Sequence, residues 1–247
     1  MTKNHYLSSH FNELKARIIY SLIFFLLCFI ISYYYSEQIY KFLLLPLINA
    51  WDSGDKHMIY TNLAEIFFSY LSLSYYAALF LTIPFFACQI YIFIAPGLYK
   101  SERKAFLPFL ICSPILFALG VLFVYYVIFP LAWKFFLGFE SSAIGNLPIK
   151  LEAKVSEYLK LVINMMLAFG MAFQMPILLA LLAKLGMITG QSLRDKRRFS
   201  IVLIFILAAI LTPPDAVSQI GLAIPMLILY ELSILACTKI SKGRKNA

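Results

Sequence analysis

Two carboxylates in basic stretches beside apolar segments are the residues best suited to bind a cationic ligand. Glu13 lies in HFNELKAR, four residues before Arg17, and Glu102 lies in FIAPGLYKSERK, between Lys100 and Arg103. Carboxylates accept paired hydrogen bonds from guanidinium groups, so the two acids together could hold an arginine-containing ligand. The alternative is local: Glu13 and Arg17 have the i,i+4 spacing of a helical surface ion pair, and Glu102 neutralises its basic neighbours.

A second group of polar side chains interrupts apolar segments. Gln174 precedes Pro176 by two residues in AFGMAFQMPILLALLAKLG, and Thr212 and Gln219 bound TPPDAVSQ. In a bilayer an amide needs a partner and a proline kink needs support from its surroundings. Gln174 is therefore expected to bond either a partner helix or a neighbouring helix of its own chain. For TPPDAVSQ the alternatives are an ordinary tight turn and a docking site, where Thr212 and Gln219 stay unpaired until a partner helix satisfies them.

No residue pattern indicates catalysis or metal binding. The three histidines lie outside the apolar runs, and the sequence contains neither HExxH nor a paired-aspartate pattern of an intramembrane protease. The four cysteines stand in apolar runs without CxxC or Cys/His metal spacing. The sequence therefore argues against an intramembrane protease, and it predicts no metal site and no cofactor.

The composition requires a membrane. The 247 residues are 62% hydrophobic and 13% charged, with a mean hydropathy of +0.84, whereas soluble proteins have about 25% charged residues. Long uncharged stretches predict an all-α polytopic membrane protein, with one membrane domain over 1–247. Its six spans are expected at about 18–36, 66–93, 105–133, 157–183, 199–212 and 217–237. The fifth is short, because the apolar run 199–211 reaches only about 20 Å.

The net charge of +9 is explained by topology and does not indicate a nucleic-acid partner. Fifteen of the 21 lysines and arginines fall in segments on one side of the predicted spans. The positive-inside rule places those segments and both termini in the cytoplasm. Arg197 and Arg198 form one such flank, and their internal position argues against an export signal of their own.

Six short motifs follow one another along the chain: HFNELKAR (10–17), LLPLI (44–48), FIAPGLYKSERK (93–104), FGMAFQMPI (169–177), LTPPDAVSQ (211–219) and LAIPM (222–226). Together they resemble TatC, the receptor subunit of the twin-arginine protein translocase, from about residue 8 to about residue 238. The patterns FxxPxLYxxE and TPPDxxSQ in consecutive loops are the specific part of this resemblance.

The resemblance implies a cup-shaped, six-helix protein, N-in and C-in, in the bacterial inner membrane or, alternatively, an organellar membrane. Such a protein would not be an enzyme, and it would bind twin-arginine signal peptides of folded precursors at its cytoplasmic face. It would assemble with TatA- and TatB-type single-span subunits and with other TatC copies, and the proton-motive force would drive export. The implied signal-peptide residues are Glu13, Lys15, Arg17, Phe93, Pro96, Leu98, Tyr99 and Glu102. The partner-helix residues are Gln174, Thr212 and Gln219, and the outer cap contains Pro46 and Asp215.

Two positions depart from the family pattern. Lys15 stands where the family usually has arginine, which keeps the charge but loses the forked donor. Gln174 stands where many members have glutamate, so a mechanism that needs ionisation at this position cannot operate here. The competing class is a small-molecule secondary transporter, which the few midplane charges and the lack of an evident repeat disfavour.

Overall fold

The structure is a computed structural model that describes residues 2–51, 57–94, 100–138, 152–212 and 216–245. This part of the chain is almost entirely helical, with one pair of two-residue strands. The elements in order are α1 (Thr2–Tyr34), α2 (Ser36–Ala50), β1 (Met58–Ile59), α3 (Glu65–Ile94), α4 (Lys100–Phe123), a π-helical segment (Val124–Ile128), α5 (Phe129–Leu137), β2 (Ala153–Lys154), α6 (Val155–Ala172), α7 (Met175–Lys184), α8 (Gly190–Asp195), α9 (Arg197–Leu211) and α10 (Ala216–Lys245).

Long apolar helices confirm the prediction of an all-α polytopic membrane protein. Within the described ranges, five helical stretches are long and apolar enough to cross a bilayer: Asn12–Tyr34, Glu65–Ile90, Pro108–Leu137, Val155–Lys184 and Ser218–Ser241. The remaining predicted span corresponds to α9, whose 15 residues reach about 22 Å. That length is below the roughly 30 Å of the hydrocarbon core, as its sequence indicated. The cytoplasmic position of the termini stays a prediction.

One compact unit comprises Met1–Lys41 and Phe67–Pro114. Its helices α1 and α3 run antiparallel and meet through aromatic side chains. The rings of Phe24 and Phe85 stack with centroids 4.3 Å apart, and Phe25 meets Tyr75 edge to face at 5.5 Å. Such pairs supply packing between helices that the hydrophobic effect does not drive together in lipid.

The other compact unit comprises Phe42–Ile66 and Ile115–Ala247. Two glycines bring α4 and α6 close together: a Cβ on Gly120 would lie 2.7 Å from the carbonyl oxygen of Phe169, and Gly170 lies against the ring of Phe117. Small residues allow this close backbone approach between membrane helices. The division reflects packing within the chain, and the single membrane domain over 1–247 stays a prediction.

The C-terminal helix α10 organises the second half of this unit. It packs on α7, α8 and α9. The hydroxyl of Tyr230 donates to the carbonyl of Leu193 at 2.8 Å, which anchors α8. Gly190 at the start of α8 lies against Thr238, where a side chain would clash. These contacts fix the short helix that precedes α9.

Candidate functional site

Arg17 lies at the centre of a polar cluster formed by α1 and α3. Its Nε and Nη2 atoms donate to Oε1 of Glu13 at 3.2 and 2.5 Å. Its Nη1 atom donates to Oε1 of Gln89 at 3.3 Å. The i,i+4 ion pair expected from the sequence is therefore present, and Gln89 ties it to the neighbouring helix.

In this cluster the carboxylate of Glu13 is more exposed than the guanidinium of Arg17. The side chain of Arg17 is 18% exposed and that of Glu13 is 37% exposed. Both hydrogen bonds from Arg17 converge on one carboxylate oxygen, and a carboxylate has about four acceptor positions in all. Glu13 thus has the capacity to accept hydrogen bonds from a cationic ligand while Arg17 holds its orientation. Lys15 is exposed on the same helix.

The other signal-peptide residues implied by the resemblance occupy the next connection. Phe93 lies in the last turn of α3 and is half-buried. Glu102 lies in the first turn of α4, and its side chain lies outside the described residues. Pro96, Leu98 and Tyr99 also lie outside the described residues.

Gln174 lies at the break between α6 and α7. Its carbonyl accepts hydrogen bonds from the backbone N–H groups of Ile177 and Leu178, both at 3.1 Å, so Gln174 is the N-cap of α7. Pro176 is then in the first turn of α7, where its missing N–H costs no intrahelical hydrogen bond. The proline therefore ends one helix and begins the next, and the half-buried side chain of Gln174 projects from the kink.

Thr212 and Gln219 have acceptors within the chain, so the expectation that they lack partners is wrong. The buried hydroxyl of Thr212 donates to the carbonyl of Ala208 at 2.8 Å, one turn back along α9. The Gln219 amide donates to the carbonyl of Phe205 at 3.4 Å, which is a long hydrogen bond. A hydroxyl at the end of a helix commonly bonds back in this way, which satisfies its donor but leaves acceptor capacity.

Beside Thr212 lies a cavity of 320 Å³, which we call the α6–α9 groove. Its lining is Glu157, Lys160, Leu161, Asn164 and Met165 of α6 with Ile210 and Thr212. The α6 residues recur at three- and four-residue spacing, so they form one helix face. A polar strip along a membrane groove suits a helix that carries a complementary polar side chain.

Pro46 lies inside α2, and two tyrosines from elsewhere in the chain bond carbonyls in the turn before it. Proline has no N–H, so the carbonyl of Phe42 loses its helical donor, and the ring disturbs the preceding turn. The hydroxyl of Tyr125 donates to this carbonyl at 2.7 Å, and Tyr158 donates to the carbonyl of Leu43 at 2.7 Å. Pro46 is buried between these contacts, whereas Asp215 lies outside the described residues.

Glu65 joins the two segments that hold the strands. One of its oxygens accepts from the backbone N–H of Thr61 at 2.9 Å, and the other accepts from the hydroxyl of Ser156 at 2.6 Å. Lys154 approaches at 3.7 Å, and the Glu65 side chain is almost buried. The acid fixes the parallel pairing of β1 with β2, in which Met58 lies opposite Ala153.

Comparisons with known proteins agree on one family. A family model described as TatC, Sec-independent protein translocase protein, matches residues 9–225. The chain belongs to the TatC family. A TatC of Rickettsia prowazekii (strain Madrid E) is 47% identical over 235 residues, which cover 95% of this chain and 93% of that protein. A TatC of Escherichia coli (strain K12) is 34% identical over 241 residues, 97% of this chain and 91% of that one.

A solved structure agrees with these relatives. A crystal structure of a twin-arginine translocase receptor, TatC, superimposes with a TM-score of 0.76 at 35% identity, covering 94% of this chain and 99% of that chain. Membership in the TatC family makes the chain an integral inner-membrane component of a Sec-independent protein translocase. The family is not one of enzymes, and a small-molecule transporter is not favoured.

Three features of this TatC-family chain escaped the sequence analysis. Gln89 carried a usable signal, since it is an amide inside the apolar run of α3 just as Gln174 is in its own run. The polar face of α6 was also visible as periodic spacing of Glu157, Lys160 and Asn164. The tyrosine donors to the α2 carbonyls had no local signal, because they lie 83 and 115 residues away along the chain.

Proposed function

We propose that this chain is the receptor of its translocase and binds the twin-arginine signal peptides of folded precursors through Glu13 and Glu102. The observation that carries the proposal is the Glu13–Arg17–Gln89 cluster, in which a partly exposed carboxylate is held in place by a more buried arginine. Holding the acceptor in one orientation before the ligand arrives reduces the entropy lost on binding.

Arginine suits this site better than lysine does. A guanidinium donates two parallel hydrogen bonds to a carboxylate, whereas an ammonium acts as a point charge. Glu13 and Glu102 would each bond one of the two consecutive arginines of the ligand. Arg17 neutralises part of the charge on Glu13 before the ligand binds. Position 15 is lysine here, where the family usually has arginine. Arg17 is therefore the one guanidinium in the stretch ELKAR. The orientation of the Glu13 carboxylate then depends on Arg17 and on Gln89, which bonds Arg17.

Gln89 serves in this proposal as a positioning residue. Its amide oxygen accepts from the Arg17 nitrogen that does not bond Glu13. With Gln89 in place, the guanidinium plane is fixed between α1 and α3. Without it, Arg17 gains rotamers, and the carboxylate of Glu13 loses its fixed orientation.

We further propose that TatA- and TatB-type single-span subunits dock along the α6–α9 groove. The support is its polar strip and the shortness of α9, which ends at Leu211 after about 22 Å, less than a full span. A partner helix with one polar side chain would bond the remaining acceptor positions of Thr212 and the strip residues. Gln174, at the break after α6, is proposed to hydrogen-bond a partner helix. Further TatC copies join the same assembly. The proton-motive force drives export.

Signal binding is tested by photo-crosslinking a twin-arginine peptide to membranes that contain Glu13→Lys or Glu102→Lys variants. Charge reversal repels arginines, so we expect loss of crosslinking in both variants. Membrane insertion should persist, because added lysine agrees with the cytoplasmic side of the spans. Lys41→Gln, at an exposed ion pair outside the implied signal-peptide residues, serves as the control for an altered charge. Normal crosslinking in both glutamate variants would remove these acids from the site.

Partner docking is tested separately with the double variant Thr212→Val and Gln219→Leu. We expect weaker crosslinking to a single-span subunit, because the variant removes the hydroxyl of Thr212, which lines the groove, and the amide of Gln219, which bonds α9. Signal-peptide crosslinking should be unchanged in this variant. Loss of signal binding with intact partner contact would show that the two sites are assigned to the wrong ends of the molecule.

A further inference from the structure

A second cavity, of 390 Å³, lies between α2, the π-helical segment and α5. We call it the α2–α5 groove. Its walls are apolar and aromatic, formed chiefly by Phe42, Leu45, Tyr126 and Pro130, and Asn49 and Lys134 supply its polar groups. The stacked rings of Phe42 and Tyr125, 4.5 Å apart and nearly parallel, hold α2 and the π-helical segment together beside the cavity.

Lys134 is the feature that selects an occupant. It is the one charged residue in the run from Pro108 to Gly138, and it lies four positions before that run ends. The span Pro108–Leu137 therefore carries an ammonium at the level where hydrocarbon gives way to headgroups. Lys134 is exposed and has no carboxylate partner within the described ranges 2–51, 57–94, 100–138, 152–212 and 216–245.

We propose that the α2–α5 groove binds one anionic phospholipid. Its phosphate pairs with the ammonium of Lys134 and accepts a hydrogen bond from the amide of Asn49. Its acyl chain lies along Phe42, Leu45 and Tyr126. Anionic lipid is the ligand whose charge complements the site and whose tail matches the apolar walls.

The charge of Lys134 distinguishes a lipid from an apolar partner helix. A phospholipid supplies a phosphate for the ammonium and an acyl chain for the apolar wall, whereas an apolar helix supplies only the second. The site is also independent of the signal-peptide and partner-helix proposals, because it shares no residue with either.

The two tryptophans of the chain report directly on this groove. Trp51 follows the lining residue Ala50, Trp133 precedes Lys134, and both are buried. The protein is reconstituted into vesicles of dioleoylphosphatidylcholine with a fixed minor fraction of dibrominated phosphatidylglycerol or dibrominated phosphatidylcholine. Bromine on an acyl chain in the groove quenches tryptophan fluorescence, so the ratio of quenching by the two lipids measures selectivity.

We expect brominated phosphatidylglycerol to be preferred about fivefold, the ratio for about 1 kcal/mol from one lysine at a membrane surface. Lys134→Gln should abolish the preference and Lys134→Arg should retain it. Lys41→Gln is the matched control, because Lys41 is bonded to Glu37 at 2.6 Å on α2 and does not line the groove. Equal quenching by the two lipids in the native protein would overturn the proposal. So would a preference that survives Lys134→Gln, or quenching that a single-span subunit abolishes.

Discussion

The membrane spans at the two ends of the chain differ in how many of their residues the protein itself buries. In an 18-residue apolar window of each span, 11% of the residues are buried in Asn12–Tyr34 and 22% in Glu65–Ile90, whereas 39% are buried in Val155–Lys184 and 44% in Ser218–Ser241. In lipid, helices gain little from hiding apolar surface, so burial measures close packing and polar contacts. The early spans are held by a few specific contacts, and the late spans form a packed scaffold.

This difference matches the division of proposed roles. The Glu13–Arg17–Gln89 cluster lies on the sparsely packed helices α1 and α3. The α6–α9 groove and the α2–α5 groove lie in the unit with glycine contacts and tyrosine-capped carbonyls. Changes in the packed unit should therefore reduce stability, and changes on α1 and α3 should reduce recognition with little loss of stability.

The largest effect is expected from Gly120→Ala. The new Cβ would lie 2.7 Å from the carbonyl oxygen of Phe169, and a backbone atom on a packed helix cannot move away easily. Overpacking of this kind costs about 1–3 kcal/mol, and we expect the upper end. Thermal unfolding in detergent measures the loss. Ala118→Leu, two residues away on an exposed part of α4, is the control and should unfold near the native temperature.

The next largest effect is expected from Tyr125→Phe, which leaves the carbonyl of Phe42 without a donor. A fully buried unsatisfied carbonyl costs about 1–3 kcal/mol, and we expect the lower end because this hydrogen bond is only part-buried. The same substitution should cost less in a Pro46→Ala background, because alanine restores the helical N–H that proline removes. A double-mutant cycle on unfolding free energies measures this coupling. If Tyr125→Phe lowers the unfolding free energy equally with Pro46 and with alanine at position 46, the tyrosine hydrogen bond does not compensate for the proline.

A moderate effect is expected from Gln89→Leu on the sparsely packed helices. Loss of the Arg17–Gln89 hydrogen bond should weaken binding of a twin-arginine peptide about fivefold, equivalent to about 1 kcal/mol for one hydrogen bond. The unfolding temperature should change little. Gln191→Leu, which removes an exposed amide bonded to Asp195 on α8, is the matched control. A large fall in stability with unchanged peptide affinity would reverse the proposed roles of the two units.

The smallest effect is expected at the exposed pair of Glu37 and Lys41. The hydrogen bond from Lys41 lowers the pKa of Glu37 below its usual 4.5, and the same bond raises the pKa of Lys41 above its usual 10.5. The stabilisation is therefore present at neutral pH. It is lost as pH falls through the lowered pKa of Glu37, or rises through the raised pKa of Lys41.

Glu37→Gln should change the unfolding temperature less than any variant above. The change should appear only at pH values between the pKa of Glu37 and the pKa of Lys41. Added salt should remove the difference, because both side chains are exposed. Tyr40, on the same helix, does not interfere below alkaline pH, since burial raises its pKa to about 12. An effect that persists in high salt would mean that this pair is shielded by a partner or by lipid headgroups.

Sequence predicts local features of this protein well and distant ones poorly. Spans follow from local hydrophobicity, and the Glu13–Arg17 pair follows from i,i+4 spacing. The break at Gln174 follows from Pro176. Gln89 reaches Arg17 across 72 residues, so no periodicity places it there. Thr212 was expected to be unpaired because of its depth in the membrane. Its hydroxyl instead donates to the carbonyl of Ala208 on the same helix, and such a local hydrogen bond does not depend on depth.

The central claim is that Glu13, oriented by Arg17, favours arginine over lysine in the signal peptide. The most direct measurement is the affinity of purified protein for twin-arginine and twin-lysine versions of one peptide, in the native protein and in Glu13→Gln. Native protein should prefer twin-arginine by about tenfold or more, since a guanidinium donates two parallel hydrogen bonds to a carboxylate and an ammonium lacks the second, which is worth about 1.5–3 kcal/mol. Glu13→Gln should lose most of that preference. A preference for twin-arginine that is unchanged by Glu13→Gln would contradict the account.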